Sequence, residues 1–228
     1  MIRKNDIKNI KSLAIKKIRK EKGVFIAEGH KMVEELLNTM ECTLIVSTQE
    51  WAEKQKRLPS VRTEIVSESV LKQTSLLQTP QDVLAIFKIP KHNCGIDIAR
   101  TELVLALDGI QDPGNLGTIV RIADWFGIKH IFCSNDTADI YNPKATQATM
   151  GAISRVQLHY IDLAKELTVE LLTETKVQMQ EAEKRNIVLT QEEKDYISAL
   201  ITYSLGQSDA LDSYDLTEQD WIKIYEEY

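Results

Sequence analysis

Asn115 and Arg121 stand six residues apart in DPGNLGTIVRIADWFG, residues 112–127, with Gly117 and Thr118 between them. If the segment is helical, Arg121 shares its face with Thr118 and Gly117, three and four residues earlier, and the missing side chain at Gly117 leaves a hollow beneath the guanidinium. Arginine is permanently charged and presents a planar fork of donors, which suits a phosphate or a sugar-phosphate edge lying in that hollow. Asn115 falls at the junction of loop and helix, where its side chain can cap a backbone N–H of the first turn. In the plainer alternative Asn115 only caps the helix and Arg121 pairs with Asp124 or Asp108, and spacing alone leans toward it.

Other chemistries find little support. GNLG is neither a GxGxxG fingerprint nor a GxxxxGK[ST] loop, so nicotinamide dinucleotides and nucleoside triphosphates are not indicated. His30, His92, His130 and His159 are scattered, with no serine or cysteine elbow beside them. Cys42, Cys94 and Cys133 form no CxxC or Cys/His spacing, so they read as reduced or buried thiols, with no metal site expected.

The elements that must position Asn115 and Arg121 follow from the apolar pattern. A strand at Leu103–Leu107 feeds the glycine- and proline-bearing turn, and the helix from Leu116 is expected to bury Ile119, Ile122, Ala123 and Phe126 before Gly127 stops it. Further strands read at Lys129–Ser134 and Val156–Ile161, with the helix KATQATMGAISR between them. Strands alternating with helices imply a parallel sheet that holds ligands at the C-terminal ends of its strands. Upstream, one helix is expected over residues 5–22, then strands at 24–27, 42–47, 63–66 and 83–89 alternating with helices. The fold class is therefore α/β. A small N-terminal unit (1–90) is followed by a linker (91–101), a parallel-sheet domain (102–167) and an acidic helical tail (168–228).

Charge is distributed unevenly over the 228 residues. Residues 1–31 carry ten Lys and Arg against Asp6, Glu21 and Glu28, whereas residues 169–228 carry fourteen acids against five bases. A basic end points to a phosphate-bearing partner, although a solvated helix face explains the same composition. No stretch has the roughly 20 apolar residues that span a bilayer, and the basic start lacks an apolar core and cleavage site, so no membrane association and a cytoplasmic location are expected.

Within this frame DGIQDPGNLGTIVRIADWFG resembles the first signature of the SpoU or TrmH family of the SPOUT superfamily, RNA ribose 2′-O-methyltransferases that use S-adenosylmethionine. Asp108, Asp112-Pro113, Asn115, Gly117, Arg121 and Ala123 fit that pattern in order. KKIRKEKGVFIAEGHKMVEELL (16–37) and TPQDVLAIF (79–87) are similar to the family's accessory substrate-binding domain, and YNPKATQATMGAISRVQLHYID (141–162) continues its methyltransferase domain. The resemblance implies that Arg121 contacts the target ribose or its phosphate and helps deprotonate the 2′-hydroxyl. It also implies that Asn115 orders the site, and that Lys16, Lys17, Arg19 and Lys20 hold rRNA or tRNA through phosphate contacts. A homodimer is implied as well. The family's later signatures, an Asn-Glu-Gly-x-Gly loop and a Ser-Leu-Asn segment, form a knotted S-adenosylmethionine pocket and are missing from 168–228. The knot is therefore expected to be incomplete, no cofactor residues are assigned, and a non-catalytic RNA-binding relative or a truncated or fused form is the alternative.

Overall fold

The computed structural model describes residues 2–55, 58–91, 95–163, 165 and 166. The expectations for 168–228, for His92 and for Cys94 lie outside them. The described chain up to Leu163 is one compact unit holding two sheets.

The first sheet has strand order β1-β4-β2-β3, from β1 (Val24–Glu28), β2 (Cys42–Ser47), β3 (Arg62–Ile65) and β4 (Val83–Lys88). β4 lies antiparallel to both β1 and β2, with Phe25 opposite Phe87 and Ile45 opposite Ala85, and only β2 and β3 run parallel. Side chains alternate across this sheet as a pleated strand requires. Ile26, Leu44, Val46 and Leu84 face α1 (Lys4–Ser12) and α5 (Glu68–Thr74), where Ile10, Leu13 and Leu71 complete one core. Phe25, Ala27, Ile45, Ala85 and Phe87 face the other way, onto α3 (His30–Leu37), Trp51 of α4 (Gln49–Lys54) and the second sheet's layer.

The second sheet is wholly parallel, in the order β5-β6-β7: β5 (Leu105–Leu107), β6 (His130–Ser134) and β7 (Gln157–Ile161). Leu105 is in register with Ile131, and Ile131 with Leu158. The connecting helices are α6 (Pro113–Trp125) and α7 (Pro143–Ala148). Leu116, Val120 and Ala123 of α6 and Ala145 of α7 enter the same core as Phe25 and Ile45, and the rings of Phe25 and Tyr141 meet at 4.9 Å. The two sheets thus share one hydrophobic interior.

Four sequence expectations need correction. The helix over 5–22 is two helices, α1 and α2 (Lys16–Lys22), because Leu13 turns into the core while Ile15 adopts an extended conformation and points out. The helix expected at 144–155 ends at Ala148, where Met150 and Gly151 take positive φ values of 52° and 96° before a short 3-10 turn at Ala152–Ser154. The buried stripe of α6 is Leu116, Gly117, Val120 and Ala123 rather than Ile119, Ile122, Ala123 and Phe126, and Ile122, Trp125 and Phe126 are exposed. The hollow expected at Gly117 is filled. A β-carbon there would lie 2.5 Å from the Ala145 carbonyl oxygen and 2.6 Å from the Ala148 β-carbon, so glycine is needed for α6 and α7 to touch.

Candidate functional site

β5 ends at Leu107, and the chain turns through Asp108 and Gly109 (φ 61°) into α6. The turn is held from β6. Ser134 Oγ accepts the Gly109 N–H at 2.9 Å and donates to Asp136 at 2.5 Å, and Thr137 Oγ1 accepts the Ile110 N–H at 3.3 Å. The helix start is set by Asp112, whose Oδ1 accepts the Asn115 N–H at 2.9 Å. Asp112, not Asn115, is therefore the N-cap, and Pro113 fits at the first helical position because its missing N–H has no intrahelical partner to lose. The Lys144 ammonium, 2.6 Å from Asp112 Oδ2, holds that carboxyl below the usual carboxylate range.

Asn115 and Arg121 are both exposed on α6. Arg121 makes no hydrogen bond or ion pair with the described residues, and neither does the Asn115 side chain. The pairing of Arg121 with Asp124 or Asp108 does not form. Asp124 is instead taken by Arg155, at 2.7–3.1 Å, and Arg155 also bonds Glu35 of α3. Among the described residues Arg121 is thus a cation without a partner, on a helix whose opposite face is locked in the core.

Lys16, Lys17 and Lys20 of α2 are exposed, and Lys17 lies 3.9 Å from Glu21. Arg19 differs from them. It is 2% exposed and points inward, where Nη2 bonds Asp139 at 2.6 Å and Nη1 donates to the carbonyls of Leu13 (2.6 Å) and Ala14 (2.8 Å). Its guanidinium caps the break between α1 and α2 and ties that break to the loop before α7, so it is not presented to a ligand. The signal for this, an arginine on the apolar flank of a lysine-rich helix, was present in the sequence, but its partner lies 120 residues away.

Sequence reading also missed a histidine pair. His130 Nδ1 and His159 Nε2 are 3.1 Å apart across β6 and β7, both buried and stacked near Phe132. Cys42 and Cys133 are free, buried thiols, and burial pushes them up to about 11 and about 12 respectively. Among the described residues no group of three His, Cys, Asp or Glu could hold a metal ion.

The C-terminal edge of a parallel sheet is where a cofactor would bind. The loops after β5 and β6 at that edge are bonded to one another, and among the described residues the buried polar side-chain atoms without a partner are Ser47 Oγ and Trp51 Nε1, both in the first sheet's layer. None of the described residues at that edge is assigned to S-adenosylmethionine.

The chain up to Leu163 thus joins an α/β unit with a mostly antiparallel sheet to a three-stranded parallel sheet, an architecture of two α/β halves in which an arginine without a partner among the described residues follows the first parallel strand. Comparison with known proteins agrees. The MRM3-like substrate binding domain matches residues 4–85, and the SpoU rRNA Methylase family matches residues 102–212, beyond residue 167 where the recognisable signature stretches end. A solved structure described as a putative RNA methyltransferase of the TrmH family from Porphyromonas gingivalis is 37% identical, with a TM-score of 0.67 over 78% of this chain and 68% of that one. An AdoMet-bound rRNA methyltransferase from Sinorhizobium meliloti is 30% identical, with a TM-score of 0.56 over 68% of this chain and 60% of that one. Among characterised relatives, the Bacillus subtilis 23S rRNA (guanosine(2553)-2'-O)-methyltransferase RlmP is 30% identical over 151 residues, 64% of this chain and 58% of that protein. The chain belongs to the SpoU/TrmH family of RNA methyltransferases, and it spans little more than half the length of this relative.

Proposed function

We propose that the protein transfers a methyl group to the 2′-hydroxyl of a ribose in rRNA or tRNA. The observation that carries this reading is the exposed Arg121, without a partner among the described residues, on the same family-signature helix as Asn115, which the core and the Asp112 cap hold in place. S-adenosylmethionine, used by family relatives, is the proposed source of the methyl group. A guanidinium has no lone pair to accept a proton and serves as a donor fork, so the work of Arg121 is to hold the phosphate or ribose edge and stabilise charge as the hydroxyl loses its proton. The lysines Lys16, Lys17 and Lys20 anchor the RNA backbone, and their contribution is sensitive to salt. A cytoplasmic location and a homodimeric assembly belong to the same proposal.

The test combines calorimetry of S-adenosylmethionine on the full chain with transfer of labelled methyl to ribosomal RNA. Binding and transfer are expected, and Arg121→Ala should lower transfer by about 10²–10³-fold, the loss seen when one transition-state donor is removed. A flat titration on folded protein that still binds RNA overturns the proposal in favour of a non-catalytic relative.

A further inference from the structure

Arg121 and the lysines of α2 lie on different layers of the unit, and an RNA held by both must cross the ground between them. α7 packs against both α6, which carries Arg121, and β1, the strand that α2 touches. The Lys144 side chain lies along α6, its Cε 3.2 Å from the position of a β-carbon on Gly114, immediately before Asn115. The Lys144 side chain is 63% exposed, and among the described residues its ammonium pairs only with Asp112, whose side chain is 45% exposed. So exposed a pair adds little to stability, and a phosphate can compete with Asp112 for the ammonium.

One turn further along α7 is Gln147. Its Nε2 lies 4.0 Å from where a β-carbon on Gly29 would sit, and Gln81 Cγ lies 3.5 Å from the same point. Gly29 has φ 95° and stands between β1 and α3, so a bare stretch of first-sheet backbone separates the two glutamines. The Gln147 amide is half-buried and hydrogen-bonds none of the described residues, whereas the exposed Gln81 donates weakly to the Thr79 carbonyl at 3.4 Å. A continuous polar strip therefore runs from Gln81 over Gly29 to Gln147, Lys144 and the Asn115 end of α6. One ammonium suits a phosphate, and two amides that both donate and accept suit base edges or 2′-hydroxyls.

We infer that Lys144, Gln147 and Gln81 form a second substrate-binding surface, over which the RNA strand passes from the first sheet to the Asn115–Arg121 edge. This rests on the proposed function, because it takes RNA as the ligand. Lys144 contacts a phosphate, and the glutamines contact the nucleotides beside it. All three are positioning residues that touch the strand away from the reacting ribose.

The test is fluorescence anisotropy of the full chain with a fluorescein-labelled, mixed-sequence oligoribonucleotide over a salt series. Lys144→Ala is expected to weaken binding and to reduce the salt slope by about 0.7, the value of one phosphate contact on a single strand, while Lys144→Arg keeps both. Gln147→Ala and Gln81→Ala are expected to weaken binding about two- to tenfold with no change in slope, as loss of an uncharged hydrogen bond does. Thermal melts of each variant establish that it is folded. If wild type binds RNA and all three alanine variants match it in affinity and slope, the surface is overturned and the proposed function stands. If folded wild type binds no RNA, the functional reading beneath it is overturned as well.

Discussion

Replacing Arg19 by methionine is the sharpest probe of how the two sheets are joined. The methionine stem fills most of the same apolar channel, so the change removes the charge and its donors more than the packing. It strips Asp139 of bonds at 2.6 and 3.2 Å, and it leaves the carbonyls of Leu13 and Ala14 without the donor that reached them at 2.6 and 2.8 Å. Removing one partner of a buried pair costs about 3–5 kcal/mol. Asp139 keeps the Tyr141 N–H at 3.0 Å and is 14% exposed, which argues for the lower end, about 3 kcal/mol. With a urea slope of about 2 kcal/mol/M, the midpoint should fall by roughly 1.5 M. Trp51 is buried in the shared core and reports that transition by fluorescence. Adding Asp139→Leu to the Arg19→Met variant should recover part of the loss, because no uncompensated carboxylate is then left behind. A single-variant midpoint within about 0.5 M of wild type would refute the structural role assigned to Arg19.

Two further outcomes follow from contacts elsewhere in the unit. Gly117→Ala gains about 1 kcal/mol of helix propensity but drives a methyl into the backbone of α7, so a net loss of about 1–2 kcal/mol is expected, read as a melting temperature lower by about 3–6 °C. A raised melting temperature would show that α6 and α7 can separate without cost. Glu28 sits buried at the end of β1, where burial pushes its carboxyl above the usual range against the opposing bonds from Ser75 and the Leu76 N–H. An acid whose pKa is raised in the folded state binds its proton more tightly there than when unfolded. Its stability contribution is therefore greatest at low pH and is lost as pH rises through the raised value. Glu28→Gln cannot titrate, so the melting-temperature difference between variant and wild type should shift in the variant's favour as pH rises from about 4 to 7. A difference that does not change with pH refutes that assignment.

Much of this arrangement was legible in the chain itself. The run LVLAL, the turn and the stop at Gly127 announced a strand, loop and helix, although the strand is shorter than expected, Leu105–Leu107 with Leu103 exposed, and the parallel order of β5, β6 and β7 follows from alternation with helices. The errors share one cause: they concern partners distant in sequence. Gly117 looked like room for a ligand because nothing local shows that Ala145 and Ala148 occupy it. Arg19 looked like one more surface cation because Asp139 is 120 residues away. The stripe on α6 was misjudged because periodicity says which residues share a face, but not which of two apolar flanks, Leu116–Val120–Ala123 or Ile122–Trp125–Phe126, meets the core. That Asp124 is not the partner of Arg121 was equally hidden, since Arg155, 31 residues on, takes Asp124.

The interior shared by the two sheets has a practical consequence. The stretches matched by separate families, 4–85 and 102–212, invite a cut in the segment between them. Such a cut would uncover Phe25 on one fragment and Tyr141 on the other, and it would divide Arg19 from Asp139 and Arg155 from Glu35. The boundary that evolutionary modularity draws through this chain is not a boundary of cooperativity. The halves are expected to melt as one, and fragments made along the family lines would meet water with the surfaces that now hold them together.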